Sequence, residues 1–460
     1  MKAANHRNNF LNGCIWSAPK ILQGVASVMV VTYLSFYATD VLGMEPGVIA
    51  TVLLITKLFD GVTDLIAGFL IDNTHSKMGK ARPYDLVLPL VAVFLVLLFT
   101  VPKTGQIVQA IYIGVMYVLL QAVFITILAA SDSVYLLRSF RDEKQRNTVF
   151  SISTVANGVF NSVVTVILPI MVANAGTSQS SWTRMLLIMS IPFAAIGLIR
   201  FFTIKETGVR TEETEVKTSA KNTEKKEKVS LKEGIRAIVE NRYLLIFTLA
   251  IFIIVICSGL LNTSIAYYFK YFVGDQSKMS IANIGAFTMI VMLVLFMPLA
   301  NKVGKDRLMK VCLCLLCVGN IIRWIGGTNM VTIVVGLALL YIGIVPIATY
   351  FPLYIFDIID YSEWKTGTRV EGVLAVFPNF ANKVASGLAV SLGAFILQFA
   401  GYNGSLETQS ASAMNAINAC FNIIPTILCI VLTIIMLVFY NMDKILPTVK
   451  KELGERRKNS

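Results

Sequence analysis

Charged side chains are scarce in this chain. They make up 15% of its 460 residues, against 56% hydrophobic residues, whereas soluble proteins average about 25% charged and roughly 45–50% apolar. That shortage excludes a disordered chain, a fibrous repeat and an ordinary cytosolic enzyme. Histidine is nearly missing: there are 2, His6 in the N-terminal segment and His75 in a loop, too few to build a zinc or redox centre. The 7 cysteines all fall in or beside apolar runs. Even Cys312-x-Cys314-x-x-Cys317 reads as small buried hydrophobes rather than as metal ligands. No glycine-rich phosphate loop, zinc-ligand spacing or catalytic-triad pattern occurs, so neither an enzyme nor a cofactor is expected. The opening residues are polar, and no small-residue cleavage site follows the first apolar run. No cleaved signal peptide is therefore expected.

What the chain does have is apolar runs. A membrane-crossing helix needs about 20 mainly apolar residues, and about twelve stretches meet that need: 14–38, 47–71, 84–101, 107–131, 148–174, 182–203, 243–269, 281–300, 308–327, 330–355, 371–400 and 413–440. Lipid cannot satisfy free backbone groups, so helices are the expected form. Strands of a membrane barrel would be shorter and would alternate in polarity. The chain thus reads as an all-α membrane protein with twelve transmembrane helices.

The cations lie in alternate gaps between these runs. One set of loops carries Lys2 and Arg7, then Lys77, Lys80 and Arg82, then Arg138, Arg141, Lys144 and Arg146. The same set continues with the lysine-rich stretch 205–236, then Lys302, Lys305, Arg307 and Lys310, Lys365 and Arg369, and the segment Lys444 to Lys458. The other set is nearly free of cations, with none in Asp40–Glu45 or in 401–415. This is the positive-inside pattern. It predicts an even number of helices in the plasma (inner) membrane, with both termini cytoplasmic. Basic loops facing anionic lipid also account for the net charge of +13 without nucleic acid.

Residues 205–241 break the apolar pattern with a charge-mixed segment, "TEETEVKTSAKNTEKKEKVS" at its centre. This predicts a flexible cytoplasmic linker with a short surface helix near Leu231–Glu240. The linker would join a six-helix bundle at 1–204 to a second at 242–443, followed by a cytoplasmic tail at 444–460. A weak repeat supports the division. Gly68-x-x-x-Asp72 and Lys77-x-Gly79-Lys80-x-Arg82 follow the second run, and Asn301-Lys302-x-Gly304-Lys305-Asp306-Arg307 follows the eighth. The first copy resembles the loop between helices two and three of the major facilitators, whose fold has two six-helix halves.

Several charged residues fall inside the apolar runs. A carboxylate at a helix centre costs about 2.5–3.5 kcal/mol on insertion scales, so each marks a candidate site. The second run holds Lys57-x-x-Asp60-x-x-Thr63-Asp64. Asp60 and Asp64 are one helical turn apart on one face. With Thr63 they offer oxygen ligands for a small hard cation; alternatively, paired carboxylates could hold a proton, or Lys57 could neutralise one of them. Thr126 in the fourth run could add an oxygen if the second and fourth helices touch. Asp132, near the end of that run, could face substrate or could pair with Arg138. Lys383 lies midway through the eleventh run, too deep to snorkel easily, with Asp60 or Asp64 as the proposed neighbour. Lys20 and Gln23 line the early part of the first helix and could face the same cavity. Arg323 and Trp324 read as interface anchors at a helix end. The loop after the tenth run, Asp357-x-x-Asp360-Tyr361-x-Glu363-Trp364-Lys365-Thr366-Gly367-x-Arg369, supplies acids that could pair with Arg146 or Arg307 as a breakable cytoplasmic gate.

These residues carry a family resemblance. "YATDVLG" (Tyr37–Gly43), "KLFDGVTDLIAG" (Lys57–Gly68), "MGKARPY" (Met78–Tyr84), "RDEKQR" (Arg141–Arg146) and "DIIDYSEWKTGTRVEG" (Asp357–Gly372) resemble the glycoside–pentoside–hexuronide:cation symporters, the melibiose-permease-like branch of the major facilitators. The resemblance implies import of a glycoside, pentoside or hexuronide with a sodium, lithium or hydrogen ion, and no cofactor. It implies a cation site at Asp60, Thr63, Asp64 and Thr126, coupling lysines at Lys57 and Lys383, and a cytoplasmic gate of Arg146, Arg307, Asp357, Asp360 and Arg369. Family members bind galactosides through acids on helices one and four and an arginine on helix five; Gly24, Ala129 and Thr154 stand there in this chain. Lys20, Gln23, Asp132 and Lys383 are the substitute candidates for substrate contact. The expected partners are a small solute, a monovalent cation and lipid, with the protein acting as a monomer. Two rivals are a proton-coupled exporter and a membrane sensor that does not transport.

Overall fold

The computed structural model describes residues 2–74, 76–140, 142–206, 231–367 and 371–459; within these, the side chains of Asp60 and Asp64 lie outside the description. Helix is the only regular structure among the described residues. The helices are α1 (Asn8–Val41), α2 (Pro46–Asp72), α3 (Leu88–Leu98), α4 (Gln106–Ser139), α5 (Glu143–Ala175) and α6 (Gln179–Thr203), then a short α7 (Leu231–Glu240). There follow α8 (Arg242–Val273), α9 (Gln276–Val303), α10 (Lys305–Gly326), α11 (Met330–Ala348), α12 (Phe351–Thr366), α13 (Glu371–Phe399), α14 (Ala411–Phe439) and α15 (Met442–Asn459).

Among the described residues, 10 helices are long and apolar enough to cross a membrane. The expectation of twelve is not reached on that measure, for two reasons. The third run begins with a tight 3-10 turn at Arg82–Val87, leaving α3 only 11 residues long, short of the about 20 a bilayer needs. In the second run the helix continues from Pro46 to Asp72, but the described side chains give an unbroken stretch only over Pro46–Lys57.

Local chemistry sets the helix ends. Pro46 opens the first turn of α2, where its missing N–H costs nothing. The Asp142 side chain accepts from the Gln145 amide at the start of α5, and Asn329 accepts from Val331 at the start of α11. Four of the long helices carry π turns: α1 at Met29–Tyr33 and Tyr37–Val41, α4 at Val118–Ile125, α8 at Phe269–Val273 and α14 at Ala419–Ile423. The extra residue in such a turn disturbs the ladder of backbone bonds, and functional sites often use that freedom.

The chain clusters into two compact units. The first holds Met1–Lys226 with Phe269–Ser280 and Ala394–Met414; the second holds Glu227–Tyr268, Ile281–Gly393 and Asn415–Ser460. In the first, α1 packs on α5 and α6, α3 on α6, and α2 on α4. Trp182 is fully buried there and stacks on Phe99 at 5.8 Å. In the second, α10 lies against α11 at backbone distance, since a Cβ on Gly319 would meet the Gly336 carbonyl at 2.6 Å. Tyr243, Phe247, Tyr354 and Tyr440 fill its core, with α15 packed on α12.

Two segments read as solvated, the linker and the tail, have packed residues. Glu206, within the expected linker, has a fully buried side chain. Asn241, at its other end, is 1% exposed, accepting from the Leu244 amide and donating to the Ile358 carbonyl. The expected tail is the helix α15, whose Met442, Val449 and Leu453 are buried at helical spacing. The Trp364 indole donates to Glu452 at 2.6 Å, and Arg456 donates to the Trp364 carbonyl. The short helix expected near Leu231–Glu240 is present as α7.

Candidate transport site

The first unit contains an uncovered polar strip. On α1, Lys20, Gln23, Gly24 and Ser27 share one helical face and are half-buried or exposed. Ile21, Leu22, Val25 and Ala26, on the remaining faces, are 6% exposed or less. In an apolar span, a polar face left uncovered by its own unit calls for a water-filled path rather than lipid. Lys20 and Gln23 therefore stand on one surface, as their spacing predicts, and Ser27 extends it by a turn.

The strip ends in a charge network. Lys20 Nζ bridges Asp132 Oδ2 on α4 at 3.1 Å, with side chains 22% and 18% exposed. The other Asp132 oxygen accepts from Arg200 Nη1 on α6. Arg200 turns its remaining edge to Asp85, donating from Nε at 2.9 Å and from Nη2 to the second oxygen. A planar guanidinium suits this two-bond fork; an ammonium does not. Both Arg200 and Asp85 side chains are 1% exposed. Trp16 and Tyr135 cover the guanidinium, 4.7 and 5.1 Å from their ring centroids. The formal charges cancel: Lys20 and Arg200 against Asp85 and Asp132. The alternative pairing of Asp132 with Arg138 is not found. Arg138 bridges Glu206 at 3.2 Å instead.

Glu206 is a functional-site neighbour that the sequence reading missed. Besides Arg138, it accepts from the backbone amides of Lys80 (2.9 Å), Ala81 (2.8 Å) and Arg82. The Gly79 loop can wrap it only because Gly79 has φ +119° and no side chain; a Cβ there would sit 2.5 Å from the carboxylate carbon. Arg82 closes the loop by donating to the Phe201 carbonyl from Nε (3.0 Å) and Nη2 (2.7 Å).

For the expected cation site, α2 does pack against α4. Thr63 Oγ1 donates to the Phe59 carbonyl at 3.1 Å, and Thr126 Oγ1 donates to the Gln121 carbonyl at 3.1 Å. The Thr126 bond spans five residues, so it uses an acceptor that the α4 π turn shifts out of the regular ladder. The Thr126 hydroxyl oxygen keeps a lone pair for a cation. Lys57 lies 5.8 Å from the Tyr117 ring centroid on α4. The Asp60 and Asp64 side chains are outside the described residues.

At the end of α1, Asp40 gathers several donors in the first unit. Lys270 Nζ and Tyr271 OH (3.3 Å) reach one carboxylate oxygen; Tyr402 OH (2.8 Å) and Thr39 Oγ1 (2.6 Å) reach the other. The Asp40 side chain is 0% exposed. Only the "YATDVLG" motif marked this place in the sequence.

In the second unit Asp357 pairs with lysines rather than with the expected Arg307 of that unit. Lys305 Nζ holds one oxygen and Lys450, on α15, lies 3.6 Å from the other. Tyr354, one turn before Asp357 on α12, donates its hydroxyl to the Lys305 carbonyl, which sets Lys305 at the start of α10 beside the acid. Arg146 is half-buried and Arg307 exposed, Asp360 is half-buried, and Arg369 lies outside the described residues. Lys383 is exposed on α13. Arg323 is 0% exposed rather than an interface anchor, whereas Trp324 is 41% exposed. Arg323 donates to Asn422 Oδ1 (3.1 Å), Asn320 Oδ1 (2.8 Å) and the Phe421 carbonyl (2.7 Å), a carbonyl inside the α14 π turn.

The chain belongs to the MFS/sugar transport protein family, whose sequence profile matches residues 15–444. It is 29% identical to the isoprimeverose transporter of Lactiplantibacillus pentosus over 93% of this chain and 88% of that protein. It is 24% identical to the inner membrane symporter YicJ of Escherichia coli (strain K12), over 93% and 92% of the two chains. Among solved structures, the nucleoside transporter NupG superposes with a TM-score of 0.63 at 12% identity, covering 94% of this chain and 99% of the other. That likeness shows the major facilitator fold. The family and the relatives it matches make the chain a multi-pass membrane transporter rather than an enzyme.

Proposed function

We propose that the protein is a cation-coupled symporter that imports a glycoside-type sugar across the plasma membrane by alternating access, as a monomer with both chain ends cytoplasmic. The observation that carries the reading is the uncovered strip Lys20–Gln23–Ser27 beside the Lys20–Asp132 pair. A sugar presents many neutral donors and acceptors, and this face answers with ammonium, carboxylate, amide and hydroxyl groups. A relative named as an isoprimeverose transporter supports a sugar, and one named as a symporter supports a coupling ion.

The coupling ion is sodium, with lithium and the hydrogen ion as its competitors. Asp60, Asp64, Thr63 and Thr126 form its oxygen ligands, with Lys57 and Lys383 as coupling lysines. An ion between two carboxylates removes their mutual repulsion and orders α2 against α4. If that ordering raises sugar affinity, sugar must raise ion affinity by the same factor.

The test is Asp64→Cys in proteoliposomes under an imposed sodium or proton gradient. Uphill sugar accumulation should disappear. Undiminished accumulation would remove the ion site from these residues.

A further inference from the structure

Helix α5 carries a polar line of its own. Asn147, Ser151, Thr154, Gly158, Asn161 and Thr165 recur at steps of four and three, so they share one face. Val155, Val159, Val163, Ile167 and Ile170, exposed by 36–46%, occupy the opposite side. Helix α5 packs on α1, with Ile152 against Gly13 and Asn161, from the polar line, against Gly24. At the crossing, Asn161 fills the notch left by Gly24: a Cβ built on Gly24 would lie 2.5 Å from Asn161 Oδ1. The amide is thereby delivered onto the open strip of α1, one turn from Lys20.

Its orientation is fixed by Asn157. Asn161 Nδ2 donates to both the Asn157 carbonyl and Asn157 Oδ1, each at 3.0 Å. Both hydrogens of the Asn161 amide are then engaged, and its Oδ1 is the acceptor turned to the strip. Asn157 Oδ1 is engaged too, which leaves its Nδ2 as a donor. Among the described residues, neither Asn161 Oδ1 nor Asn157 Nδ2 has a protein partner. An acceptor and a donor one helical turn apart match two neighbouring oxygens of a polyol, one donating and one accepting.

We propose that Asn161, braced by Asn157, determines specificity by reading adjacent hydroxyls of an uncharged sugar. This rests on the sugar-import reading above and narrows it. The four charges of the Lys20–Asp132–Arg200–Asp85 network already cancel, so the strip beside it holds no spare cation for a uronate carboxylate or a sulfonate. An anionic substrate would strand its charge there.

The experiment uses the full-length protein in detergent, with thermal shift measured against neutral pentosides and disaccharides and against hexuronates, in sodium and in its absence. The wild type should shift with a neutral sugar and not with a hexuronate. Asn161→Ala should weaken that sugar by about tenfold, the loss of one hydrogen bond and its brace, while its sodium-induced shift stays as in the wild type. Gly24→Ala, which pushes the amide out of its notch without touching it chemically, should reproduce the sugar defect. Asn157→Ala should give a smaller loss. Wild-type sugar affinity in both Asn161→Ala and Gly24→Ala would overturn the role of Asn161 and leave sugar import standing. A wild type that shifts only with hexuronates would overturn the neutral-substrate assignment. A wild type that shifts with no sugar at all would overturn the import reading beneath it.

Discussion

Among the described residues two arginines are fully enclosed, and the two units accommodate them by different chemistry. Arg200 in the first unit meets two carboxylates and lies against two aromatic rings. Arg323 in the second meets two asparagine side chains and one backbone carbonyl, and lies over Phe421. Only neutral acceptors face Arg323 among the bonds it makes, and its Nη1 has no partner among the described residues. The π turn of α14 brings in the carbonyl that serves it. The lesson is about connection. Arg200 holds Asp132, and Asp132 reaches the open strip through Lys20, so a buried charge is wired to that strip. Arg323 ties α10 to α14 through neutral groups.

That contrast can be broken by substitution. The largest effect is expected from Arg200→Met, which strands two carboxylates, one of them 1% exposed. Removing one side of such a buried pair costs about 3–5 kcal/mol, so the melting temperature should collapse and uptake with it. Arg323→Met should cost less, about 1–3 kcal/mol, because it strands only neutral acceptors. Its uptake per folded molecule should stay near wild type. Equal thermal losses for the two, or abolished uptake in folded Arg323→Met, would erase the distinction.

Asp132→Asn sharpens the same comparison. The amide keeps a hydrogen bond to Arg200, and solvent reaches a side chain that is 18% exposed. The expected thermal cost is about 1–2 kcal/mol, yet sugar uptake should fall severely. Lys20→Gln is the mildest, within about 1 kcal/mol for a pair that water can screen. Its effect should appear in sugar affinity, measured by counterflow, rather than in the melting curve.

Much of this arrangement was legible in the residues alone. Apolar runs and alternating basic gaps give the helices, because lipid forces backbone bonds inward wherever the chain crosses it. Helical spacing placed Lys20 and Gln23 on one face. The partners of the charges were harder to read, since they come from distant runs. Asp85 follows Pro83 at the edge of a short apolar run, and the rule that an enclosed acid needs a cation applied to it as much as to Asp60. Nothing local points from Asp85 to Arg200, 115 residues on. Arg323 was read as an anchor because a cation near a helix end can reach water; the asparagines that hold it give no charge signal. Glu206 was invisible for the opposite reason, standing among many charged neighbours in a stretch that reads as solvated. Asn157 and Asn161 were passed over because a neutral amide in a membrane helix is common, and only the notch at Gly24 reveals where one of them points.

Glu206 also has a practical bearing. Its carboxylate is clasped by three successive amides of the Gly79 loop and by Arg138. The chain is thus riveted to its bundle just ahead of the charged stretch that joins the two units. A fluorescent reporter, protease site or affinity handle spliced in a few residues downstream would leave that rivet in place, whereas deleting a single residue between Phe201 and Glu206 would pull it out of register.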